Sequence, residues 1–421
     1  MPISQALMAD LRRDLSPSTL VTEATELPAY GQDWRAARGV PGVVVRPRHA
    51  DDVVATLRFA AQHGVPVVPR GAGTNAAASF QPSPDELLLD LRLMDRIVRI
   101  DSERREAIVQ PGVINGDLVA RLAPLGLLYA ADPASAPFSS LGGNLMTNAG
   151  GPHCLKYGVT YHQVSELVCV LIGGETMRLG AADAGPDLLG VVIGSEGTLA
   201  VVVEATLRLR PLPAATRTLL ATFADAAAAA AAVFALLATG IVPAALEYAD
   251  ATAIRMFDHY APSGYPADAA LLLIDLDGDA DAVATDLETA EAVLQPAARD
   301  IWRADDAATR ATLWRGRLHA AQAIMATGQQ HHLGDATVPP SRIPDLQRAI
   351  EAISARHGLA IPTLGHAGDG NLHPIILFDG DDPRQRSAAA LAEEELVDAA
   401  LALGGTISGE HGIGSDKRSS M

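Results

Sequence analysis

Short apolar runs broken by glycine, proline and charge recur through the first third of the chain, and between them apolar residues return every three or four positions. "GVVVRP" (42–47) and "VPVVP" (65–69) read as strands. "ADDVVATLRFAAQHG" (50–64), between them, reads as a helix capped by Asp51 or Asp52 and stopped by Gly64. "ELLLDL" and "EAIVQPG" follow as strands, then "NGDLVARLAPLG" as a helix, and "SELVCVLIGG" and "GTLAVVVEATLRLRP" are β-rich. After Pro211 and Pro213 the texture changes. "RTLLATFADAAAAAAAVFALLATGIVPAALEYAD" reads strand, helix, strand, and "ADAALLLIDLDG" with "DADAVATDLETAEAVLQ" repeats strand and helix. Such units around an antiparallel sheet predict a separate α+β domain over roughly 214–400.

A length of 421 residues suits two or three domains. The net charge of -18, offset by no basic tract, argues against a nucleic-acid or anionic-membrane binder. Cys154 and Cys169 form no CxxC pair, so a reducing compartment is expected. The amino terminus lacks the apolar stretch of a signal peptide. One uncharged run, Ala226 to Leu246, is long enough to test as a membrane span, but Gly240 and Pro243 break it and a buried helix between strands is expected instead. The expected location is cytoplasmic, or peripheral at the inner face of a membrane, with no transmembrane segment.

Three stretches are rich in glycine. "PVVPRGAGTNAAA" sets Gly71, Gly73 and Ala76 in a G-x-G-x-x-A pattern after a strand, with Asp90 ending the next strand. A dinucleotide fold of that type needs a full helix between the two strands. "SFQPSPDE" leaves no room for one, so the expectation is a glycine loop whose backbone N–H groups cradle a pyrophosphate. "DPASAPFSSLGGNLMTNAGGPHCLKYG" (132–158) reads as a long loop with no structure of its own, and "VVIGSEGTLAVV" places Gly194, Glu196 and Gly197 before a strand. Together they suggest an extended phosphate-bearing ligand.

With these residues in hand, the chain resembles the FAD-binding oxidoreductases of the vanillyl-alcohol-oxidase type, in the branch of D-2-hydroxyacid dehydrogenases. The resemblance rests on "PRGAGTN", "SLGGNLMTNAGG", "HCLKYG", "GSEGTLAVV", "LWRGR", "GHAGDGNLHP" and "GEHGIGSDKR", in the family's order and over almost the whole chain. It implies an α+β protein: a split FAD-binding domain of two α/β subdomains and an α+β, ferredoxin-like cap domain. The expected bounds are an amino-terminal segment 1–37, the FAD domain 38–213, the cap 214–400 and an active-site segment 401–421. By the same resemblance, Pro69, Arg70, Gly71, Ala72, Gly73, Thr74 and Asn75 hold the pyrophosphate of a noncovalent FAD. Pro133, Ser140, Gly142, Gly143, Asn148, Gly150, Glu196 and Gly197 line the cofactor, and the backbone near Val202 meets the adenine. His153 lies near the cofactor loop without being expected to bond to it.

The last third carries the reactive groups. Asp369-Gly370 is a two-residue hairpin signal that would set His366 opposite His373, either as a structural hairpin or as a clip for a divalent metal, Zn or Mn. "SGEHGIG" adds Glu410, which can be a third ligand, and His411, which Gly409 and Gly412 could let reach the same place as a general base. The resemblance implies oxidation of a small D-2-hydroxy acid, glycolate or D-lactate, to the 2-oxo acid with the hydride going to flavin N5. It makes Arg317 the clamp for the substrate carboxylate, and Asn371 could add a donor beside the metal. Near His331-His332, Leu333 and Gly334 stand where a second substrate-binding cation would, which disfavours 2-hydroxyglutarate. Trp314 is expected to pack.

Two departures from the family pattern stand out: Ala200 in "GTLAVV", and a chain that stops at "GIGSDKRSSM" before the family's usual tail. The rival readings are a catalytically idle or truncated FAD-domain subunit of a multi-subunit oxidase and a zinc hydrolase built on the His/His/Glu set. No iron–sulfur pattern is present, so electrons are expected to leave to a partner, a quinone, a cytochrome or a dye and not to oxygen; the resemblance implies an iron–sulfur or second flavin subunit as that partner.

Overall fold

The computed structural model describes residues 5–15, 19–33, 39–262 and 264–421, so parts of the amino-terminal segment 1–37 lie outside the described residues. The chain divides into two compact units. The first comprises Met1–Gly150, Gly158–Leu212 and Glu410–Ser419; the second comprises Gly151–Tyr157, Pro213–Gly409 and Ser420–Met421.

The first unit holds two main sheets. In the four-stranded one, Val43–Val45, Leu87–Asp90 and Val67–Arg70 run parallel, with Leu20–Val21 antiparallel at the edge. Its inner strands are continuous apolar runs, as a sheet covered on both faces requires. The helix Ala50–His63 packs beside it; the Asp52 carboxylate reaches back to the N–H groups of Arg48 and His49, and Gly64 ends it at φ 64°. No helix separates Val67–Arg70 from Leu87–Asp90, as expected for a loop that is not a dinucleotide fingerprint. The second sheet is antiparallel, in the order Ile97–Asp101, Glu106–Val109, Val201–Arg208, Val164–Val170, Thr176–Gly180.

One expectation is corrected here. The stretch 132–158 is not structureless, because Leu141–Thr147 is a helix. Ser140 caps it by accepting from the Gly143 N–H, and Asn148 closes it in the left-handed region at φ 49°. Two glycines and an asparagine lower its intrinsic propensity, so burial of Leu141 and Leu145 and the caps at either end hold it.

The second unit is built on an eight-stranded antiparallel sheet, with helices on both faces. Period-2 alternation decides which core each side chain joins. Leu219, Ala221 and Phe223 point to one face with Leu272, Ile274 and Leu276, while Leu220, Leu271 and Leu273 point to the other. The alanine run is the helix Ala226–Leu237, capped by Asp225 and packed through Ala229, Ala230, Val233 and Leu236. Among the described residues, no helix is long and apolar enough to cross a membrane. The segment Gly151–Tyr157 is held in this unit by Asp277, which pairs with Lys156 and accepts from the Tyr157 hydroxyl at 2.6 Å.

Candidate functional site

In the first unit the expected cofactor residues gather around Ser140. The loop after Val67–Arg70 turns so closely that a Cβ on Gly71 would lie 2.2 Å from the Ser140 hydroxyl. That hydroxyl accepts from Ala72 N at 3.1 Å and from Gly143 N at 3.4 Å, so it ties the loop to the start of the helix Leu141–Thr147. Gly73, at φ 80°, keeps the loop turning, and a Cβ on Gly142 would meet Pro111 at 2.5 Å. With no side chain at these glycines, a bulky anion such as a pyrophosphate can approach the backbone closely here. Gly197, at φ 77°, lies so near Pro69 that a Cβ would be 2.5 Å from its ring. Val202 buries its side chain in the core, and a bulge between Val202 and Glu204 interrupts the ladder there. Pro133 and Gly150 flank the helix in sequence, and the Asn148 side chain accepts from Tyr161 N at 2.9 Å.

Three of the expected cofactor side chains have structural partners. The Arg70 guanidinium donates to the backbone carbonyls of Tyr30 and Gln32 and stacks on Phe80. Burial, and after it Arg92, pulls its pKa below the ordinary value. Asn75 accepts from Ala77 N and Ser79 N and donates to the carbonyl of His411 at 3.2 Å. Glu196 takes Ile413 N at 2.7 Å and Gly414 N at 3.0 Å, and also accepts from the Ser79 hydroxyl. Glu410 and His411 belong to this unit, on a backbone bent at Gly412, φ 86°.

The second unit holds a buried polar cluster. The hairpin register differs from the one expected: His366 pairs with Asn371, Gly365 with Leu372, and Leu364 with His373. The turn is the four-residue loop 367–370, not Asp369-Gly370 alone. Tertiary contacts set it, since Gly368 N donates to Leu246 O and a Cβ on Gly370 would lie 1.9 Å from Val338 O. His366, Asn371 and His373 nevertheless share one face, because Asn371 lies opposite the first histidine and two residues before the second. The two rings stand 5.2 Å apart at 86°, with ligand atoms within 4.8 Å.

Glu247, in the strand Ala245–Ala249, lies opposite His366 and is fully buried. One carboxylate oxygen meets His366 Nδ1 at 2.6 Å; the other accepts from Arg317 Nε, also at 2.6 Å. Burial raises the Glu247 pKa, but His366, where it is protonated, and Arg317 outweigh it and bring it down to about 2. Arg317 is buried, near the end of the helix Ala307–Leu318. His373 Nδ1 faces Gly334 O at 3.3 Å; a carbonyl only accepts, so Nδ1 is the donor there and Nε2 is the nitrogen left to face a ligand. An ionised Glu247 imposes the same tautomer on neutral His366. Two buried imidazoles presenting Nε2, with each Nδ1 oriented by an acceptor, form a donor set suited to a divalent metal.

Asp335, which lies within ligand reach of His373, was not anticipated; it accepts from the Ser408 hydroxyl at 2.6 Å and Gly409 N at 2.9 Å. Asn371 Oδ1 and Thr337 Oγ1 are buried without a hydrogen-bond partner, and a Cβ on Gly409 would be 2.2 Å from Thr337 Oγ1. Such orphaned oxygens leave room for a partner that the protein itself does not supply, a water, an ion or a ligand. Trp314 packs as expected, donating Nε1 to buried Asp275 at 3.0 Å, and His332 pairs with Glu393. Glu247 had a usable signal, a lone acid inside the apolar strand "ALEYA". Asp335 in "HHLGDATVPP" had none.

Comparison with known proteins finds two family matches along the chain. Residues 41–180 match the FAD binding domain family, and residues 212–421 match the family of FAD linked oxidases, C-terminal domain. Glycolate oxidase subunit GlcD of Escherichia coli (strain K12) is 38% identical over 407 residues, 96% of this chain and 82% of that protein. The GlcD subunit of Bacillus subtilis (strain 168) is 39% identical over 386 residues, covering 90% and 82%. A D-lactate dehydrogenase of Anaerostipes hadrus is 30% identical over 391 residues, covering 90% and 82%. The fold is also that of p-cresol methylhydroxylase, at a TM-score of 0.77 and 19% identity over 95% of this chain and 88% of that one. Alkyldihydroxyacetonephosphate synthase superposes at 0.77 with 19% identity, over 96% and 81%.

Proposed function

The chain belongs to the FAD-linked oxidases, and from that premise we propose that it oxidises a small D-2-hydroxy acid, of the glycolate or D-lactate type, to the 2-oxo acid. The observation that carries this reading is the buried Glu247, which joins a metal-type histidine, His366, to an arginine, Arg317, through its two oxygens. A hydroxy acid presents a hydroxyl and a carboxylate on adjacent atoms, and this pair offers one group for each.

When bound, FAD supplies a two-electron acceptor, and a divalent ion such as Zn or Mn supplies a Lewis acid that makes the hydroxyl easier to deprotonate. His366 and His373 would hold the ion, with Glu410 as the third ligand; Asp335 anchors Gly409, the residue before it in the chain. Arg317 has its Nε edge on Glu247, so its two Nη groups are the fork for the substrate carboxylate. Asn371 Oδ1 and Thr337 Oγ1 are acceptors turned to the same buried region of the second unit. His411 receives the hydroxyl proton. The C2–H bond would break with its electron pair going to the two-electron acceptor that FAD supplies when bound, and the onward acceptor, other than oxygen, is proposed to be an iron–sulfur or second flavin subunit, at the cytoplasmic side of a membrane or free of it.

The test is anaerobic mixing of the FAD-loaded protein with the D and L forms of several 2-hydroxy acids, with and without a chelator. Glycolate or D-lactate should bleach the flavin band, and the chelator should slow the bleaching. Flavin that stays oxidised with every 2-hydroxy acid would leave the idle-subunit reading standing. The match to FAD binding and FAD-linked oxidase families leaves the zinc hydrolase reading without support.

A further inference from the structure

We infer that Glu196 is a positioning residue for the general base: its carboxylate straps the segment 411–414, and does not contact the cofactor. The inference rests on the proposed role of His411 and on geometry inside the first unit alone.

The carboxylate faces two successive backbone donors. Ile413 N lies 2.7 Å from Oε1 and Gly414 N lies 3.0 Å from Oε2, while the Ser79 hydroxyl also donates to Oε2. Hydrogen bonds to an ionised acceptor are the strong kind, and two consecutive N–H groups on one carboxylate fix the orientation of the peptides between them. The chain around them is built for this approach. Gly412 has φ 86° and a Cβ there would fall 2.7 Å from Glu196 Oε1; Gly414 has φ 52° and a Cβ there would fall 1.7 Å from Ala77 O. Ser415 closes the strap by donating from its N and its hydroxyl to Ala78 O.

Glu196 is itself held in an uncommon conformation. At φ 53° it sits in the left-handed region, which is unfavourable for a non-glycine residue and persists only where the surroundings impose it. Glu196 N donates to Met146 O at 2.7 Å and Gly194 N donates to Leu145 O at 3.0 Å, so the turn is docked on the last carbonyls of the helix Leu141–Thr147. On the other side of Gly412, Asn75 Nδ2 donates to the carbonyl of His411. The main chain of His411 is therefore gripped at its own carbonyl and again two residues on. A carboxylate also makes a poor neighbour for a pyrophosphate, since like charges repel. The same side chain on backbone N–H groups meets no such penalty.

The experiment uses the full FAD-loaded chain and two readouts: the rate of anaerobic flavin reduction by glycolate or D-lactate, and amide exchange at Ile413 and Gly414. Glu196→Ala should leave the FAD-to-protein ratio unchanged, slow flavin reduction by about 100-fold, the usual consequence of a displaced catalytic group, and speed exchange at both amides. Glu196→Gln, which keeps the shape and one acceptor oxygen, should fall between. In a His411→Ala background the Glu196→Ala change should add little. Loss of FAD with unchanged exchange overturns the inference, as do fully additive effects in the double variant. A rate unaffected by His411→Ala alone would instead sink the base assignment, while amide exchange would still decide whether Glu196 is the strap.

Discussion

His366 Nδ1 lies 2.6 Å from Glu247 Oε1, across two strands whose register places the two residues directly opposite each other. The pairing settles the ring's tautomer and orientation at once, which free rotation of an imidazole on a strand would not. It also ties the ring to Arg317 through the second carboxylate oxygen, so that one buried acid orients both groups proposed to hold the substrate.

Removing that acid should therefore have a double effect. Glu247→Ala leaves Arg317 buried without its partner and is expected to destabilise the protein by about 3–5 kcal/mol. Glu247→Gln keeps the volume and one acceptor, and should still weaken metal affinity by about 10- to 100-fold, as loss of an outer-shell partner does. Titration of metal-free protein with Zn or Mn reads the second effect apart from activity. Unchanged affinity in Glu247→Gln would remove Glu247 from the metal site.

Arg317→Lys tests the carboxylate fork. A lysine keeps the charge beside Glu247 but cannot offer two parallel donors to a carboxylate while its one nitrogen stays on Glu247. The expected result is a KM for the hydroxy acid raised by about 10-fold or more, the loss of about 1.4 kcal/mol or more of binding, with FAD content unchanged. A variant with wild-type KM would place the substrate carboxylate elsewhere.

Much of this site was legible in the sequence, and the parts that were not share a cause. The glycine loop, the two histidines, "GEHG" and the alternation of strands are local patterns, and the structure brings His366, Asn371 and His373 to one face. The register of the hairpin was not local. Asp369-Gly370 has the chemistry of a two-residue turn, yet Gly370 must approach Val338 O and Gly368 must bond Leu246 O, and both partners are remote in sequence. The helix Leu141–Thr147 was hidden for a similar reason: its glycines argue against a helix, and only burial and the caps argue for it. Asp335 and the strap role of Glu196 depend on which backbone N–H groups fold against them, and composition carries no trace of that.

Asp250 predicts a pH dependence away from the site. It caps the helix Ala251–Tyr260, accepting from Ala253 N at 2.7 Å and Thr363 N at 3.1 Å, and burial nonetheless raises its pKa to about 6. Between about pH 4 and pH 6 the folded state thus binds more proton than the unfolded one, so the contribution of this group to stability falls as pH rises through that window. The shift of about two pKa units corresponds to up to about 3 kcal/mol. Asp250→Asn lacks the titration, so the stability difference between wild type and variant should shrink from pH 4 to pH 6. Denaturant unfolding at the two pH values measures it, and parallel stability curves for the two proteins would contradict the assignment.

Asp335 separates anchoring from charge. Its Oδ2 accepts both the Ser408 hydroxyl and Gly409 N, so an asparagine that turns its carbonyl oxygen to that place keeps these two bonds while removing the charge. An alanine loses both, and leaves a backbone N–H and a hydroxyl without their acceptor. If Asp335 serves only to fix the chain ahead of Glu410, Asp335→Asn should match wild type in stability and in metal affinity, while Asp335→Ala should lose about 1–3 kcal/mol and reduce flavin more slowly. If the carboxylate also contributes to the metal, as its reach to His373 allows, Asp335→Asn should keep the stability but bind Zn or Mn more weakly. Stability by chemical denaturation and affinity by metal titration are independent measurements, so the asparagine variant alone decides between the two roles.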